Sequence, residues 1–252
     1  MNVYGEGFCD AGIRRSINQD VIAMYQGGGT GLYLVSDGMG GHSEGERASR
    51  ELLTACRQWW RKRQERTAEL DFQENISQLQ EVLTRASRKI WEETPKGEIC
   101  GATVVLLWIQ EQNYGLLWAG DSRCYLAEPG VVRTSVRQLS EDDVWENQPG
   151  LRGRLSRKEL AVHPNRGKLV RAAGVSEQFE CRVRTGYLRE NFVFALCSDG
   201  VYKYLEPGKL SALLRKTLRS GDCGWALEEM AGQVYENHAP DNLSCILVKP
   251  LR

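Results

Sequence analysis

Aspartates at the ends of apolar runs are the feature of this sequence that points most directly to chemistry. Five aspartates either follow or open a strand-like run: Asp20, Asp37, Asp121, Asp199 and Asp241. A single Asp-Gly pair is typical of a turn. Because the ends of neighbouring strands lie close together at the edge of a sheet, the repeated pattern suggests that these carboxylates gather at one site.

A cluster of this kind requires cations. Two carboxylates ~4 Å apart repel each other by ~4 kcal/mol at an effective dielectric constant near 20. Hard divalent ions bind carboxylate oxygens, backbone carbonyls and water, and Gly38, directly after Asp37, allows the main chain to offer a carbonyl at close range. Two such ions ~3.5–4 Å apart can activate a water molecule and neutralise a phosphoryl group under attack.

Two arginines precede the first of these aspartates. Arg14 and Arg15 lie shortly before Asp20 in the chain. A guanidinium binds two phosphate oxygens at once through charge-assisted hydrogen bonds, each worth about 1.5–3 kcal/mol. Taken alone, such a pair is more often a solvated turn, so its interest comes from the aspartates nearby.

The elements that must position these residues show two periodicities. Strand-like runs occur at 20–25, 32–36, 102–109, 114–119, 123–127, 180–185, 191–197 and 242–249. Helical spacing predicts two successive helices around 48–59 and 76–90, joined near 67–73 and ended by Pro95, and two more near 207–219 and 225–237. The polar stretch 135–171 has loop character. This order predicts a single α+β domain over residues 1–252, with antiparallel sheets flanked by helices.

The composition favours a cytoplasmic globular protein. The 252 residues include 33 basic and 33 acidic side chains, a balance that argues against nucleic acid or an anionic membrane surface as a partner. The apolar runs are far shorter than the ~20 residues that span a bilayer, and residues 1–10 lack the pattern of a secretion signal. The eight cysteines include no Cys-x-x-Cys pair, and most lie in apolar surroundings, as buried thiols do in a reducing compartment.

Six short motifs occur in an order and spacing that are typical of one family. They are DAGIRRSINQD at 10–20, SDGMGGH at 36–42, GAT at 101–103, GDSR at 120–123, SDG at 198–200 and DN at 241–242. From about residue 3 to 249, the chain resembles the bacterial branch of the metal-dependent protein phosphatase family, type 2C. The resemblance implies a central sandwich of two antiparallel sheets, flanked by helices on both faces, with a metal centre at one end.

The resemblance also implies a role for most of these aspartates. Asp37 would bridge two Mn²⁺ or Mg²⁺ ions, and the Gly38 carbonyl would bind the first of them. Asp199 and Asp241 would hold the second ion. A third, weaker metal site would be formed by Asp121 together with Asp199.

The implied activity is hydrolysis of phosphoserine and phosphothreonine by direct attack of a metal-bound hydroxide, without a phosphoenzyme. Arg15 matches the family's phosphate-binding arginine better than Arg14, and Asp20 would hold metal-bound water molecules. The expected partners are phosphorylated Ser/Thr proteins that are substrates of a cognate kinase, and the expected state is a monomer. Family members act in several bacterial settings, including control of protein secretion.

The family's flap corresponds to residues 136–174. Asp142-Asp143 stands where many members have Asp-His, and we expect Asp143 to face water, with ligation of the third metal as the alternative. Trp145 is either a contact for substrate or partner or a buried anchor for this long segment.

Three positions depart from the family pattern. Gln19 stands where many members have an acid, so one water-mediated contact to a metal is weaker or rearranged. Met39 stands where eukaryotic relatives have a histidine that is a candidate general acid. His42 is assigned no proton-transfer role, which leaves the general acid unassigned.

Two other functions compete with this interpretation. Cys9 and Arg15 have the Cys-x5-Arg-Ser spacing of cysteine-dependent phosphatases, in which a thiolate attacks phosphorus. Asp10 beside the sulfur and the lack of a strong helix start after Ser16 argue against that mechanism. A pseudophosphatase that binds a partner without catalysis is the other alternative, and the presence of all the matched aspartates argues against it.

Overall fold

Strands pair into two antiparallel sheets in the computed structural model, which describes residues 1–41, 44–65, 71–130, 132–151 and 154–251. Sheet A has the order β1 (Val3–Asp10), β11 (Leu243–Pro250), β10 (Val193–Cys197), β7 (Arg123–Glu128) and β8 (Ser135–Gln138). Sheet B has the order β2 (Asp20–Gly27), β3 (Thr30–Gly40), β5 (Val104–Gln110), β6 (Asn113–Ala119) and β9 (Arg182–Tyr187). The short strand β4 (Cys100–Ala102) pairs with β3.

The two sheets pack face to face around a shared apolar layer. In β5, Val105 and Leu107 belong to the buried cluster that also contains Phe194 of sheet A, whereas Leu106 and Trp108 belong to the cluster on the outer face of sheet B. Alternate residues of a strand point to opposite faces. Since both faces of sheet B are buried, its central strands have continuous apolar sequences.

Helices cover the outer face of each sheet. The cluster on sheet B includes residues of α1 (Glu44–Gln64) and α2 (Phe72–Glu93), and the cluster on sheet A includes residues of α5 (Lys209–Ser220) and α6 (Cys223–Glu236). Helix α2 ends just before Pro95, as the sequence predicts. The predicted α+β architecture, with helix, sheet, sheet and helix layers, is confirmed. Of the helices in the described ranges, none has the length and hydropathy of a membrane span.

Several elements differ from those that periodicity predicts. The stretch 135–171 is not only loop, because β8 pairs with β7 and a short helix, α3 (Arg157–Val162), begins at a capping box formed by Ser156 and Glu159. Strand β1 was not predicted from the sequence. Most of its residues are half-buried, so apolar and polar side chains do not alternate clearly along it. The predicted run 102–109 is divided between β4 and β5 at Thr103. The predicted helix connection near 67–73 lies partly outside the described residues.

Replacement of a leucine on the outer face of sheet B tests this layer arrangement. Leu106 is fully buried, so Leu106→Ala should lower the free energy of unfolding by about 2–5 kcal/mol through lost apolar burial and a residual cavity. Val132 is 95% exposed, and Val132→Ala should change it by less than about 0.5 kcal/mol. Urea denaturation measures both, and equal midpoints for the two variants would contradict the assigned layers.

Candidate active site

Five aspartates from both sheets converge at one end of the sandwich. Asp20 of β2 lies directly opposite Asp37 of β3. Asp121 follows β6, Asp199 begins the short helix α4 (Asp199–Tyr202) after β10, and Asp241 precedes β11. Burial raises the pKa of Asp37 well above its usual range, and the charges of the other four aspartates raise it further. The structure therefore brings together all five aspartates that the sequence singles out.

Asp20 is buried, and one of its oxygens lacks a partner. The Ser198 hydroxyl donates to Asp20 Oδ2 at 2.7 Å, whereas Asp20 Oδ1 has no hydrogen-bond partner within the described residues. Burial raises the pKa of Asp20 to about 6, although the hydrogen bond from Ser198 opposes the rise. A buried carboxylate oxygen without a partner is costly, and a bound water molecule or cation would satisfy it.

Thr103 fixes the main chain at Asp37. The Asp37 N–H donates to Thr103 Oγ1 at 3.0 Å, and the Thr103 N–H donates to the Asp37 carbonyl at 2.8 Å. The Thr103 hydroxyl also lies 2.7 Å from the Ser122 hydroxyl. This residue, which sequence reasoning had noted only as part of a family motif, thus connects Asp37 to the segment that carries Asp121.

A close main-chain approach brings Asp199 and Asp241 together. A Cβ atom at position 200 would lie 1.8 Å from the carbonyl oxygen of Asn242, so only glycine fits there. The start of α4 therefore packs directly against the residue that follows Asp241. Gly200 serves this contact, whereas the sequence alone suggests only a turn.

Asn242 holds the segment that carries the two arginines. Its side-chain oxygen accepts a hydrogen bond from the Gln19 N–H at 2.9 Å, and its Nδ2 donates to the carbonyls of Ala11 and Ile17, each at 3.0 Å. Gly12, at φ +72°, packs close to the carbonyl of Asp241. Sequence reasoning noted Asn242 only as part of the Asp-Asn motif and missed this positioning role.

Arg15 contacts the aspartate cluster. Its Nε lies 2.9 Å from Asp241 Oδ1, and its Nη2 donates to Asp241 Oδ2 at 3.0 Å, in a two-point ion pair. The side chain is 53% exposed, so the guanidinium remains accessible from solvent. Arg14 is also exposed, and it forms no ion pair within the described residues. Within the described residues the two arginines therefore differ, since Arg15 pairs with an aspartate of the cluster and Arg14 does not.

Lys203 is a second cation at the cluster, which sequence reasoning missed. Its Nζ lies 2.7 Å from Asp199 Oδ2 and 3.5 Å from Asp121 Oδ2. Lys203 follows Asp199 by four residues, a spacing that places two side chains on the same side of a helical turn. That spacing is the signal in the sequence that could have identified it.

The expectation that Asp143 faces water is wrong. The residue is only 2% exposed. Its Oδ1 accepts a hydrogen bond from Arg182 Nε at 2.9 Å and lies 3.5 Å from Arg171 Nη1, and its Oδ2 accepts a long bond from the Gly120 N–H at 3.4 Å. Because these partners are distant in the chain, no local pattern reveals them. Asp143 instead attaches the flap to the residue before Asp121.

Trp145 anchors the flap. Its ring is half-buried and stacks on His163, with ring centroids 3.9 Å apart and an angle of 11° between the planes. The main-chain N–H of Trp145 donates to the Lys168 carbonyl at 2.8 Å. These contacts join distant parts of the segment 136–174, which favours the anchor interpretation over direct contact with a substrate.

The positions that depart from the family pattern are placed as follows. The main-chain carbonyl of Gln19 accepts hydrogen bonds from the Gly38 N–H at 3.1 Å and from the Ser49 hydroxyl at 2.6 Å. Met39 is half-buried at the end of β3. His42 lies outside the described residues.

Cys9 is unsuited to act as a thiolate nucleophile. Its thiol donates to the Asp20 carbonyl at 3.4 Å and accepts a hydrogen bond from Asn18 Nδ2 at 3.2 Å. Burial raises the pKa of Cys9, and the nearby charges of Asp20 and Asp10 raise it further. Since reactive cysteines need a lowered pKa, the structure does not favour the cysteine-dependent mechanism.

The donor atoms of the cluster suit hard divalent cations. Within the described residues, Arg15 and Lys203 are the basic side chains that form ion pairs with the five aspartates, and neither of them pairs with Asp20 or Asp37. No three His, Cys, Asp or Glu side chains of those residues already form the ligand set of a metal ion. Carboxylate oxygens that lack a basic partner are nevertheless the ligands that Mn²⁺ and Mg²⁺ prefer. Asp20 and Asp37 supply such oxygens.

Comparison with known proteins decides the family. The family model described as Protein phosphatase 2C matches residues 13–247, a range that contains all five aspartates and Arg15. The chain belongs to the protein phosphatase 2C family. This phosphatase is 27% identical to the serine/threonine phosphatase stp of Listeria innocua over 187 residues, which cover 73% of this chain and 71% of that protein. It is 29% identical to the serine/threonine protein phosphatase PstP of Mycobacterium tuberculosis over 199 residues, 76% of this chain and 35% of that protein.

Solved structures show the same fold. PppA, described as a key regulatory component of T6SS in Pseudomonas aeruginosa, matches with a TM-score of 0.80 and 25% identity over 100% of this chain and 99% of that one. The catalytic domain of PstP in complex with 2 manganese ions matches with a TM-score of 0.77 and 21% identity, over 98% of each chain. The chain is therefore a protein serine/threonine phosphatase. It is a hydrolase, and its family is metal-dependent.

Carboxylate repulsion should be visible in the stability of the metal-free protein. Because the folded state raises the pKa of Asp37 and of Asp20, the folded protein binds protons more tightly than the unfolded chain, and stability falls as the pH rises. In EDTA at pH 8, Asp37→Asn should unfold at a higher temperature than wild type. The difference should shrink as the pH falls towards about 6, where Asp20 takes up a proton.

Thermal unfolding in EDTA between pH 6 and 8 measures this effect. Glu98→Gln, at an exposed position, is the matched control and should follow wild type at each pH. A lower melting temperature for Asp37→Asn than for wild type at pH 8 would show that the Asp37 charge does not destabilise the metal-free fold.

Proposed function

We propose that Asp37, the Gly38 carbonyl, Asp199 and Asp241 hold two Mn²⁺ or Mg²⁺ ions, and that phosphoserine and phosphothreonine are hydrolysed there by direct attack of water. The observation that carries the proposal is the convergence of five aspartates that only Arg15 and Lys203 neutralise within the described residues. Such a site is complete only when further positive charge is bound.

Bound divalent ions would lower the pKa of a water molecule and offset the charge of the phosphoryl group. Asp37 and Asp20 stand opposite each other on adjacent strands, which places two carboxylates at the same point of the sheet edge. Asp20 Oδ1, the buried oxygen without a partner, would accept a hydrogen bond from water at the site. Because Asp20 is buried, it would orient water rather than bind the ions directly.

Arg15 would bind the phosphate of the substrate. Its guanidinium lies beside the cluster in an ion pair with Asp241, which a bound ion would replace, and its segment is fixed by Asn242. A guanidinium offers parallel N–H groups that match two phosphate oxygens. Because the side chain is half exposed, a phosphorylated residue can reach it from solution.

The proposal extends to the setting of the enzyme. Residues 1–252 would act as one catalytic domain with a flap at 136–174, since the buried layer between the sheets draws on both halves of the chain. The substrates would be phosphorylated proteins that a cognate Ser/Thr kinase produces, and neither nucleic acid nor a membrane is a partner. A cytoplasmic location fits the eight free cysteines. A monomer is sufficient, because all the proposed site residues belong to one chain.

Phosphate release from a phosphothreonine peptide tests the metal requirement. We expect turnover in Mn²⁺ and none in EDTA, and unchanged turnover for Cys9→Ser. Asp37→Ala and Asp199→Ala should abolish activity while circular dichroism shows that they remain folded. Turnover that survives EDTA, or undiminished turnover in either aspartate variant, would overturn the assignment of the metal centre.

The two adjacent arginines offer a matched pair for substrate binding. Arg15→Ala should raise KM for the phosphopeptide and lower kcat/KM by about 10- to 150-fold, the equivalent of ~1.5–3 kcal/mol for a lost charge-assisted contact. Arg14→Ala, at the exposed neighbouring position, should leave both parameters within about twofold. A larger loss in Arg14→Ala than in Arg15→Ala would reverse the assignment.

A further inference from the structure

Lys203 contacts both aspartates on one side of the cluster. Its Nζ lies 2.7 Å from Asp199 Oδ2 and 3.5 Å from Asp121 Oδ2. The side chains of Asp121 and Asp199 are only 10% and 21% exposed, whereas that of Lys203 is 47% exposed. The ammonium group therefore lies on the solvent side of the two carboxylates, which are otherwise largely buried in the protein.

The neighbouring residues hold the lysine and Asp121 in this arrangement. Lys203 directly follows α4, and its side chain reaches back along the helical turn towards Asp199, in the direction that helical side chains take. The preceding residue, Tyr202, donates its hydroxyl hydrogen to the Asp121 carbonyl at 3.0 Å. Both ends of the contact are thus fixed by the same short helix.

Arg123, two residues after Asp121, is already neutralised. Arg123 stacks on the Tyr202 ring, with its Cζ 3.7 Å from the ring centroid, and forms a close ion pair with Asp142, with Nη2 2.6 Å from Oδ2. Of the basic side chains in the described ranges, Lys203 is therefore the one that forms an ion pair with Asp121.

A divalent ion between Asp121 and Asp199 would compete with this ammonium for the same oxygens. It would require carboxylate oxygens at about 2.0–2.6 Å, and one of those oxygens, Asp199 Oδ2, already accepts a hydrogen bond from Lys203. The lysine charge is covalently attached to the protein, so it occupies this position without a cost of binding from solution. A metal ion must bind from solution and lose part of its hydration shell. Repulsion between the two cations further lowers the affinity for the ion.

We propose that the Lys203 ammonium is a built-in cation between Asp121 and Asp199, so that this phosphatase works with two exchangeable metal ions and excludes a third. The inference rests on the proposed function, because it presupposes that Asp37, Asp199 and Asp241 hold the first two ions. It assigns Lys203 as a positioning residue that fixes Asp199 and sets the metal stoichiometry.

Counting bound Mn²⁺ tests the inference independently of activity. The folded protein is dialysed against Mn²⁺ up to about 1 mM, the range of weak protein sites for divalent ions, and the metal content is measured by atomic emission. Wild type should saturate at two ions per chain. Lys203→Asn, which removes the charge, should bind a third, and Lys203→Arg, which keeps the charge, should stay at two.

Three further variants serve as controls. Lys89→Ala removes a lysine that forms an ion pair of the same length, 2.7 Å, with Glu51 on the helical face, and should stay at two ions. Asp121→Ala combined with Lys203→Asn should return the count from three to two. Asp121→Ala alone should leave the wild-type count unchanged, which keeps the test valid even if Lys203→Asn proves unstable.

The outcomes separate this inference from the proposed function. Three ions in wild type, a loss of one ion in Asp121→Ala, or two ions in a folded Lys203→Asn would overturn the role of Lys203 and leave the two-ion centre intact. Fewer than two ions in wild type, or no loss of metal in Asp37→Ala, would instead contradict the proposed function itself.

Discussion

Mutual repulsion among five clustered carboxylates, of which those of Asp20 and Asp121 are buried, is the constraint on which this end of the molecule depends. Asp37 lies beside four other aspartates, and burial together with their charges raises its pKa. A sheet sandwich brings such groups together because strands that are distant in the chain end at the same edge. The apolar layer between the sheets therefore supplies the stability that offsets this electrostatic cost.

Small groups at the strand ends determine how closely the charges approach. Gly200 lets the start of α4 touch the Asn242 carbonyl, and Thr103 bonds both main-chain groups of Asp37. Asn242 in turn fixes the segment that presents Arg15. The site is thus built largely from main-chain contacts, so its geometry depends on backbone packing as much as on the aspartates.

The two cations at the cluster differ in what they can do. Arg15 is a planar donor on a surface segment and pairs with one carboxylate, so it can turn from Asp241 to a phosphate. Lys203 directly follows a single turn of helix and contacts two carboxylates, those of Asp199 and Asp121, which suits a fixed countercharge. Asp143 is held by two arginines and attaches the flap beside Asp121, so the flap is connected to this side of the cluster.

The sequence by itself predicted antiparallel sheets flanked by helices and singled out the five aspartates, because apolar periodicity and the position of Asp at the end of a strand are local properties. The sandwich of two sheets was implied by the family resemblance. The sequence also favoured Arg15 over Arg14 through the family spacing. Only the tertiary structure decided the burial of Asp143, the stacking of Trp145 on His163, the role of Asn242 and the contact of Lys203 with Asp121. Each of these depends on a partner far away in the chain. Such a contact imposes no periodic pattern on the residues next to it in the sequence, so the sequence does not reveal it.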